Sequence, residues 1–399
     1  MRRSTVVLLV VTVVASGEGC AKGAMGPSAS SRIDPGPRSI DRLSVLERRS
    51  ILERAQVWRP IDTARLNLIS GPAAADGFPF DASATCDYHF PDKPLSGVTP
   101  KFECALRPGG KDLSREGGSR PDIVKVKYGE TNGEVYAEVA SSRLFWALGF
   151  VVDRMYPVSV LCRNCPPDPF KESKEDWHLG KSAKGATRRY ATAVIERDVN
   201  GEKVEVPDYE GWAWPELDFV NEESGGAPRA HVDALKLLAV FVQHVDNKPE
   251  QQAIVCTDAR ERRDRAGNAT CAAPILVVKD LGSTFGGAKL FNYDKMKLDS
   301  WREVPIWRDP ATCQGDLSRS LIGNLEHPTI SEAGRRFLAT RLSMLSDRQL
   351  HDLFTAARVE RRGDTTRDAD GHRRPVTVAD WVDAFKVKRA QIATHRCPA

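Results

Sequence analysis

The chain has 399 residues, 41% hydrophobic and 28% charged, which is enough apolar material for one large domain or two lobes with a real core. Its 58 basic residues stand against 54 acidic ones, a net charge of only +4 without a long basic run. That balance argues against nucleic acid as a partner, and no repeat of solenoid period is visible.

Residues 1–20 read as an export signal. Arg2 and Arg3 form a charged start, and Thr5 to Ala15 is an apolar run too short to span a bilayer comfortably. Gly19-Cys20 resembles the cleavage site of bacterial lipoproteins, although Gly17 and Glu18 depart from the usual pattern. The expectation is an exported protein of the cell envelope or periplasm, with Cys20 as a possible lipid anchor to the membrane. An uncleaved anchor or an ordinary signal peptide is the alternative. Residues 21–42, rich in Gly, Pro and Ser, read as a flexible tether.

The chain contains 9 cysteines, and setting Cys20 aside leaves eight. An oxidising compartment allows four bridges. Neighbour pairing is the simplest proposal: Cys86–Cys104, Cys162–Cys165, Cys256–Cys271 and Cys313–Cys397. Cys162 and Cys165 could instead be redox-active or half of a zinc site, but no second C-x-x-C exists to complete one.

Leu43 to Trp58 has the spacing of a surface helix. Leu66 to Ile123 reads as short strands broken by Gly and Pro, with Cys104-Ala105-Leu106 in one strand and Pro108-Gly109-Gly110 as a turn. Ile123 to Tyr128 is a strand whose alternation puts Lys125 and Lys127 on one side. Glu134 to Leu148 is a helix ended by Gly149. Phe150 to Leu161 returns as a strand, and Tyr190 to Val206 reads as a hairpin turning at Asn200-Gly201.

Beyond Gly225-Gly226 the pattern becomes helical. His231 to Gln243 has one apolar face. A polar loop, 244–251, leads to the strand Ala253-Ile254-Val255, a polar hairpin tip between Cys256 and Cys271, and a second strand ending before Asp280. Helices are expected at Ile330–Ser346, Asp347–Val359 and Val378–Ala393. Gly211-Trp212-Ala213-Trp214-Pro215 reads as a packed, restricted segment. Asn268-Ala269-Thr270 fits a glycosylation pattern that carries little weight beside a bacterial-type signal.

His244-Val245-Asp246-Asn247-Lys248-Pro249-Glu250-Gln251 resembles the catalytic loop of protein kinases, H-R-D-L-K-P-E-N, at His244, Asp246, Lys248, Pro249 and Glu250. Asp280-Leu281-Gly282 resembles their D-F-G metal motif. A Lys-bearing strand followed by a Glu-bearing helix, Val124 to Gly149, is similar to HipA-type and phosphoinositide-type kinases. The layout also resembles a group of uncharacterised bacterial exported proteins. The resemblance covers about residues 120–290. It implies an α+β, two-lobed kinase-like fold. A β-rich N-terminal lobe with a Glu-bearing helix is expected over 43–225 and a mainly helical C-terminal lobe over 226–399.

The resemblance further implies an ATP- and Mg2+-dependent phosphotransferase acting on an unknown hydroxyl acceptor or protein partner. Asp246 would be the base or hydroxyl orienter and Lys248 would stabilise the transferred phosphoryl group. Asp280 and Gln251 would be metal ligands. Lys127, with Lys125 as the alternative, would hold the phosphates. Glu138, with Glu134 as the alternative, would hold that lysine. The departures are Gln251 for Asn, Val245 for Arg, and the lack of a G-x-G-x-x-G before the lysine strand. Only Ser70-Gly71-Pro72 and the Gly109-Gly110 turn are available for a phosphate-covering loop. These departures support a second reading, an inactive kinase-like lipoprotein that serves as a binding or scaffold module. Taken singly, each residue has a plainer role: His244 as packed core, Asp246 and Asn247 as turn residues, and the two lysines as a solvated strand face.

Overall fold

The computed structural model describes residues 43–106, 122–182, 185–207, 209–257, 270–287, 294–321 and 323–398. The export signal, the tether and Cys20, the Pro108–Gly110 turn, and the hairpin tip with Asn268 lie outside the described residues.

Helix α1 (Val45–Glu53) starts at a capping box between Ser44 and Glu47. It is shorter than the spacing predicts and less superficial, since Arg48, Ile51 and Leu52 are buried. The chain then leaves the helix to make isolated bridges from Gln56 to Ile275 and from Trp58 to Phe150.

Strands β1 (Ser83–His89), β2 (Lys101–Leu106) and β3 (Asp122–Tyr128) come next, then helix α2 (Gly133–Leu148). Strand β4 (Arg154–Cys165), the short helix α3 (Pro169–Lys174) and strand β5 (Ala186–Arg197) follow. The five strands roll into a closed barrel in the order β1-β2-β3-β5-β4. Closure comes from parallel pairing of β1 with β4, Ser83 opposite Ser159. Alternation along β3 sends Val124 and Val126 into the barrel core with Phe102, Val158, Val160 and Ile195. Lys125 and Lys127 therefore face outward. Helix α2 ends where Gly149 takes a left-handed conformation, φ +93°, and a Cβ there would strike Arg59 and Trp58.

The expected hairpin over Tyr190–Val206 does not form. Strand β6 (Glu202–Lys203) pairs with β7 (Gln252–Cys256), not with β5. The Asn200-Gly201 segment carries the chain from the barrel to a second sheet, β6-β7-β8, whose last strand is Pro274–Val278. Gly201, at φ +140°, lies so close to Val255 and Cys256 that no side chain fits. A turn dipeptide marks a reversal of local geometry, but here packing against β7 selects the partner strand.

Helix α4 (Arg229–Val242) is buried from Val232 onward and is the axis of the helical part. Around it lie α5 (Leu298–Glu303), α6 (Glu332–Ser343), α7 (Asp347–Ala356) and α8 (Val378–Ala393). Phe241, Phe285, Trp301, Phe354, Trp381 and Phe385 pack edge-on or stacked between these helices. Trp212 and Trp214 are fully buried, as expected of a packed segment. The architecture is α+β, sheet-rich in its N-terminal part and helical in its C-terminal part, and Pro37–Ala399 forms one compact unit.

Four disulfides join Cys86 to Cys104, Cys162 to Cys165, Cys256 to Cys271 and Cys313 to Cys397, the neighbour pairing expected. No helix of the described residues is long and apolar enough to cross a membrane.

Candidate active site

A cleft of about 730 Å3 is lined by Lys125, Lys127, Asp246, Lys248, Gln251 and Asp280, with Lys101, Glu196 and Ser320 around them. A larger hollow, about 1040 Å3, lies elsewhere against Trp146, Arg154 and Lys203 and contains none of those six. The smaller cleft is the candidate site, because of the two it is the one that gathers these groups.

Its upper wall follows from β3 and α2. Asn132, five residues after Lys127, caps α2 by accepting from the Glu134 backbone N–H at 3.1 Å and starts the helix at Gly133. Glu134 and Glu138 are then four apart and share a face. Glu138, fully buried, forms an ion pair with Lys127, which is 2% exposed. Glu134 pairs instead with Lys295. Lys127 Nζ is also 3.5 Å from Asp280 Oδ1 and 3.8 Å from Glu196 Oε2. Lys125 has its own partner, Glu196 Oε1, at 2.6 Å. The expected pair is therefore Lys127 with Glu138.

Burial alone would drive the proton from Lys127, but Asp280, Glu138 and Glu196 outweigh it and hold its pKa well above the usual lysine value. Burial likewise opposes ionisation of Asp280, yet Lys127 prevails, with help from Lys101 and the Gly282 N–H, and holds the carboxyl far below its ordinary range. Glu196 falls to about 2, because Lys125 and Lys127 outweigh its burial. Glu138 moves the other way: burial, with the charges of Asp280, Glu196 and Glu134, raises its pKa well above the usual carboxylate value although Lys127 opposes the shift. Lys127, Asp280 and Glu196 are thus fixed, ionised groups of both signs in a sheltered setting, where charges interact strongly.

The lower wall is the loop after α4. The helix ends at Gln243 in a left-handed conformation, and the His244 N–H donates back to Ala239 at 2.9 Å. Val245 N donates to Ser283 O at 3.3 Å, and Lys279 N donates to Gln251 O at 2.9 Å. These backbone bonds tie the loop at both ends to the segment that carries Asp280. Gly282 fits there because a Cβ would meet the Glu134 side chain at 2.8 Å.

Asp246 receives two hydrogen bonds, from Gln251 Nε2 to Oδ2 at 3.0 Å and from Ser320 Oγ to Oδ1 at 3.3 Å. Asn247 is a fastener, buried and four times bonded. Its amide donates to His244 O at 2.8 Å and Leu325 O at 3.1 Å, and its oxygen accepts from the N–H groups of Asn324 and Leu325 at 2.7 and 2.8 Å. His244 is packed core, edge-on to Trp214, with neither ring nitrogen partnered, and burial pushes its pKa down to about 4.

Several lining residues have no place in the sequence motifs. The Leu95–Thr99 loop between β1 and β2 rims the cleft, and Gly97 has φ +78°. Gly71 packs on the Arg143 guanidinium, outside the cleft, so Ser70-Gly71-Pro72 does not serve as a phosphate-covering loop. Lys101, at the foot of β2, is 8% exposed. Lys279 lies 3.7 Å from Asp153 and 3.5 Å from Asp198. The period-2 alternation of β2 and β5 could have flagged Lys101 and Glu196, but nothing local singles out Ser320 or the Leu95–Thr99 loop.

The donor set suits a hard cation. Glu134, Glu138 and Asp280 each offer an oxygen within 4.8 Å of the others. Glu138 Oε2 and Gln251 Oε1 are buried acceptors without a protein donor. Oxygen-only ligands of this kind match Mg2+.

No family model matches the sequence, and no curated protein matches it. Among solved structures, the chain is similar to the proinflammatory kinase CtkA of Helicobacter pylori at 10% identity and a TM-score of 0.39, over 77% of this chain and 95% of that one. It is also similar to a chain of the HipA–HipB toxin–antitoxin system with its operator DNA from Shewanella oneidensis MR-1, at 10% identity and a TM-score of 0.30, over 76% of this chain and 66% of that one.

Proposed function

We propose that this chain is an exported kinase-fold protein that binds ATP with Mg2+ and transfers a phosphoryl group to a hydroxyl acceptor. The observation that carries the reading is the convergence of the Lys127–Glu138–Asp280 cluster and Asp246 on one cleft. Chance placement of a loop motif, a strand lysine and a helix glutamate would not bring these side chains together. The four disulfides fit an oxidising compartment.

In this reading Lys127, held charged by its carboxylates, grips the phosphates, and the Leu95–Thr99 loop closes over them. Asp280, with Gln251 or Glu138, would hold Mg2+, which when bound neutralises charge on the phosphate oxygens. Asp246 orients the acceptor hydroxyl and takes its proton, and Lys248 faces the transferred group. Catalysis of this kind is positioning and electrostatics, and the fixed charges supply both.

The second reading, an inactive kinase-like binding module, is favoured by Gln251. Its amide is committed to Asp246, and the residue is one methylene longer than the usual metal-binding Asn. Calorimetric titration of the purified protein with ATP and Mg2+, beside Asp280→Ala and Asp246→Asn, separates the two. Binding lost in Asp280→Ala, with turnover lost in Asp246→Asn, supports the transferase. Binding without turnover in the wild type leaves the binding module. No binding by folded, oxidised protein refutes the transferase and leaves a scaffold that does not use the nucleotide.

A further inference from the structure

Among the described residues, Ser320 is the one hydroxyl that the fold brings to Asp246, donating to its Oδ1 at 3.3 Å. The two residues are 74 apart in the chain, so their meeting is a product of tertiary structure. The other carboxylate oxygen already receives the Gln251 amide, so the acid is oriented without the serine. Ser320 lies on the wall of the same cleft as Lys127, Lys248 and Asp280.

The turn that presents it is fastened to the loop on both sides. Ser320 N donates to Val245 O at 2.8 Å, and Gly323 N donates to Ser320 O at 3.1 Å. Gly323 sits so close that a Cβ would meet Asn247 Oδ1 at 2.9 Å and Val245 O at 3.1 Å. Three of the bonds of Asn247 hold the next two residues, Asn324 and Leu325. Arg319 Nη1 donates to Gly323 O at 3.0 Å across the base of the turn. A half-buried hydroxyl is thus held at hydrogen-bond range from a carboxylate by this set of hydrogen bonds, which is the arrangement a bound acceptor would have to achieve.

We propose that Ser320 is a phosphoacceptor in cis. The proposal rests on the transferase reading above and names a substrate for it, the chain's own serine. Ser320 Oγ attacks the terminal phosphorus of a nucleoside triphosphate, and an O–P bond forms. The bond from that phosphorus to the bridging oxygen breaks, and the nucleoside diphosphate leaves with the electron pair. The hydroxyl proton passes to Asp246 and then to solvent. The product is a phosphoserine whose dianion faces Asp246 from the position an outside hydroxyl would need. Like-charge repulsion and occupancy then close the site to other acceptors, so the reaction is self-limiting.

The test is incubation of the full chain with ATP and Mg2+, followed by intact-mass measurement and peptide fragmentation. The expected result is one phosphoryl group on Ser320, formed at a rate independent of protein concentration. Ser320→Ala, shown to be folded by its thermal melt, loses the modification. Ser320→Thr restores it as phosphothreonine, and Asp246→Asn abolishes it. A protein that binds ATP but leaves Ser320 unmodified, or marks another residue instead, overturns the inference while nucleotide binding stands. Failure to bind ATP at all overturns it together with the reading beneath it.

Discussion

Lys101 stands directly opposite Lys127 in the β2–β3 register, and both side chains are buried in the cleft wall. Three carboxylates surround Lys127, but none of the described residues forms an ion pair with Lys101. Burial, and then the charge of Lys127, push the Lys101 pKa down. Facing like charges destabilise a strand pair by up to about 1 kcal/mol, a cost that a bridging polyanion would remove. Lys101→Met should therefore stabilise the free protein by about 1 kcal/mol. It should also weaken ATP binding on the order of tenfold to a hundredfold, the loss of one charge-assisted contact. Denaturant melts and calorimetry measure the two effects, and a variant that is both less stable and unchanged in affinity would sink the argument.

Glu138 and Glu134 should behave differently. Glu138→Gln removes the closest carboxyl partner of Lys127, although Asp280 and Glu196 remain. A loss of about 2 kcal/mol in stability is expected, less than for a wholly unpaired buried charge. Turnover should fall on the order of a hundredfold. Glu134→Gln breaks only the contact with Lys295 and should spare most of the turnover. Equal defects in the two variants would mean that Lys127 is not the phosphate-binding lysine.

The four disulfides should contribute in order of the chain length they close. Cys313–Cys397 spans 84 positions and Cys162–Cys165 spans 3. Loop-closure entropy assigns roughly 4 to 5 kcal/mol to the first and roughly 1 to 2 to the second. Paired Cys→Ser variants compared by denaturant unfolding check this. A larger loss at Cys162/Cys165 would point to packing within the barrel as the dominant effect.

Acid should act on His244. Its pKa falls from 6.5 to about 4 through burial, so the unfolded chain binds the proton first as pH drops. The histidine's contribution is complete above 6.5 and is lost between 6.5 and about 4. Moving from about pH 7.5 to about pH 5 should cost the wild type about 2 kcal/mol that His244→Phe does not lose. Melts of both proteins at the two pH values give the difference, and parallel curves would show that His244 can be protonated in place.

The elements legible in the sequence are those whose signal is local. Ile123–Tyr128 alternates and is a strand, Glu134–Leu148 ends at a left-handed glycine, and Val378–Ala393 begins at a threonine cap. The loop 244–251 and Asp280 could be placed because their spacing is itself the motif. Lys101, Glu196 and Ser320 reach the cleft through strand register or tertiary closure: Lys101 opposite Lys127, Lys125 opposite Glu196, and Ser320 beside Asp246. Those relations have no counterpart in a window of sequence. The hairpin expected after Tyr190 fails for the same reason, since the partner of β6 lies some fifty positions downstream. The plain reading of His244 as packed core describes it well, and even so its burial beneath Asp246 helps to hold the loop in shape.

The closed barrel has a consequence for how this protein can meet others. A rolled sheet offers no free rim of backbone donors and acceptors, so its five strands cannot extend into a neighbour's sheet or template a fibril. Recognition through the barrel must then pass through side chains, which makes chemistry rather than strand geometry the basis of partner choice on that part of the surface.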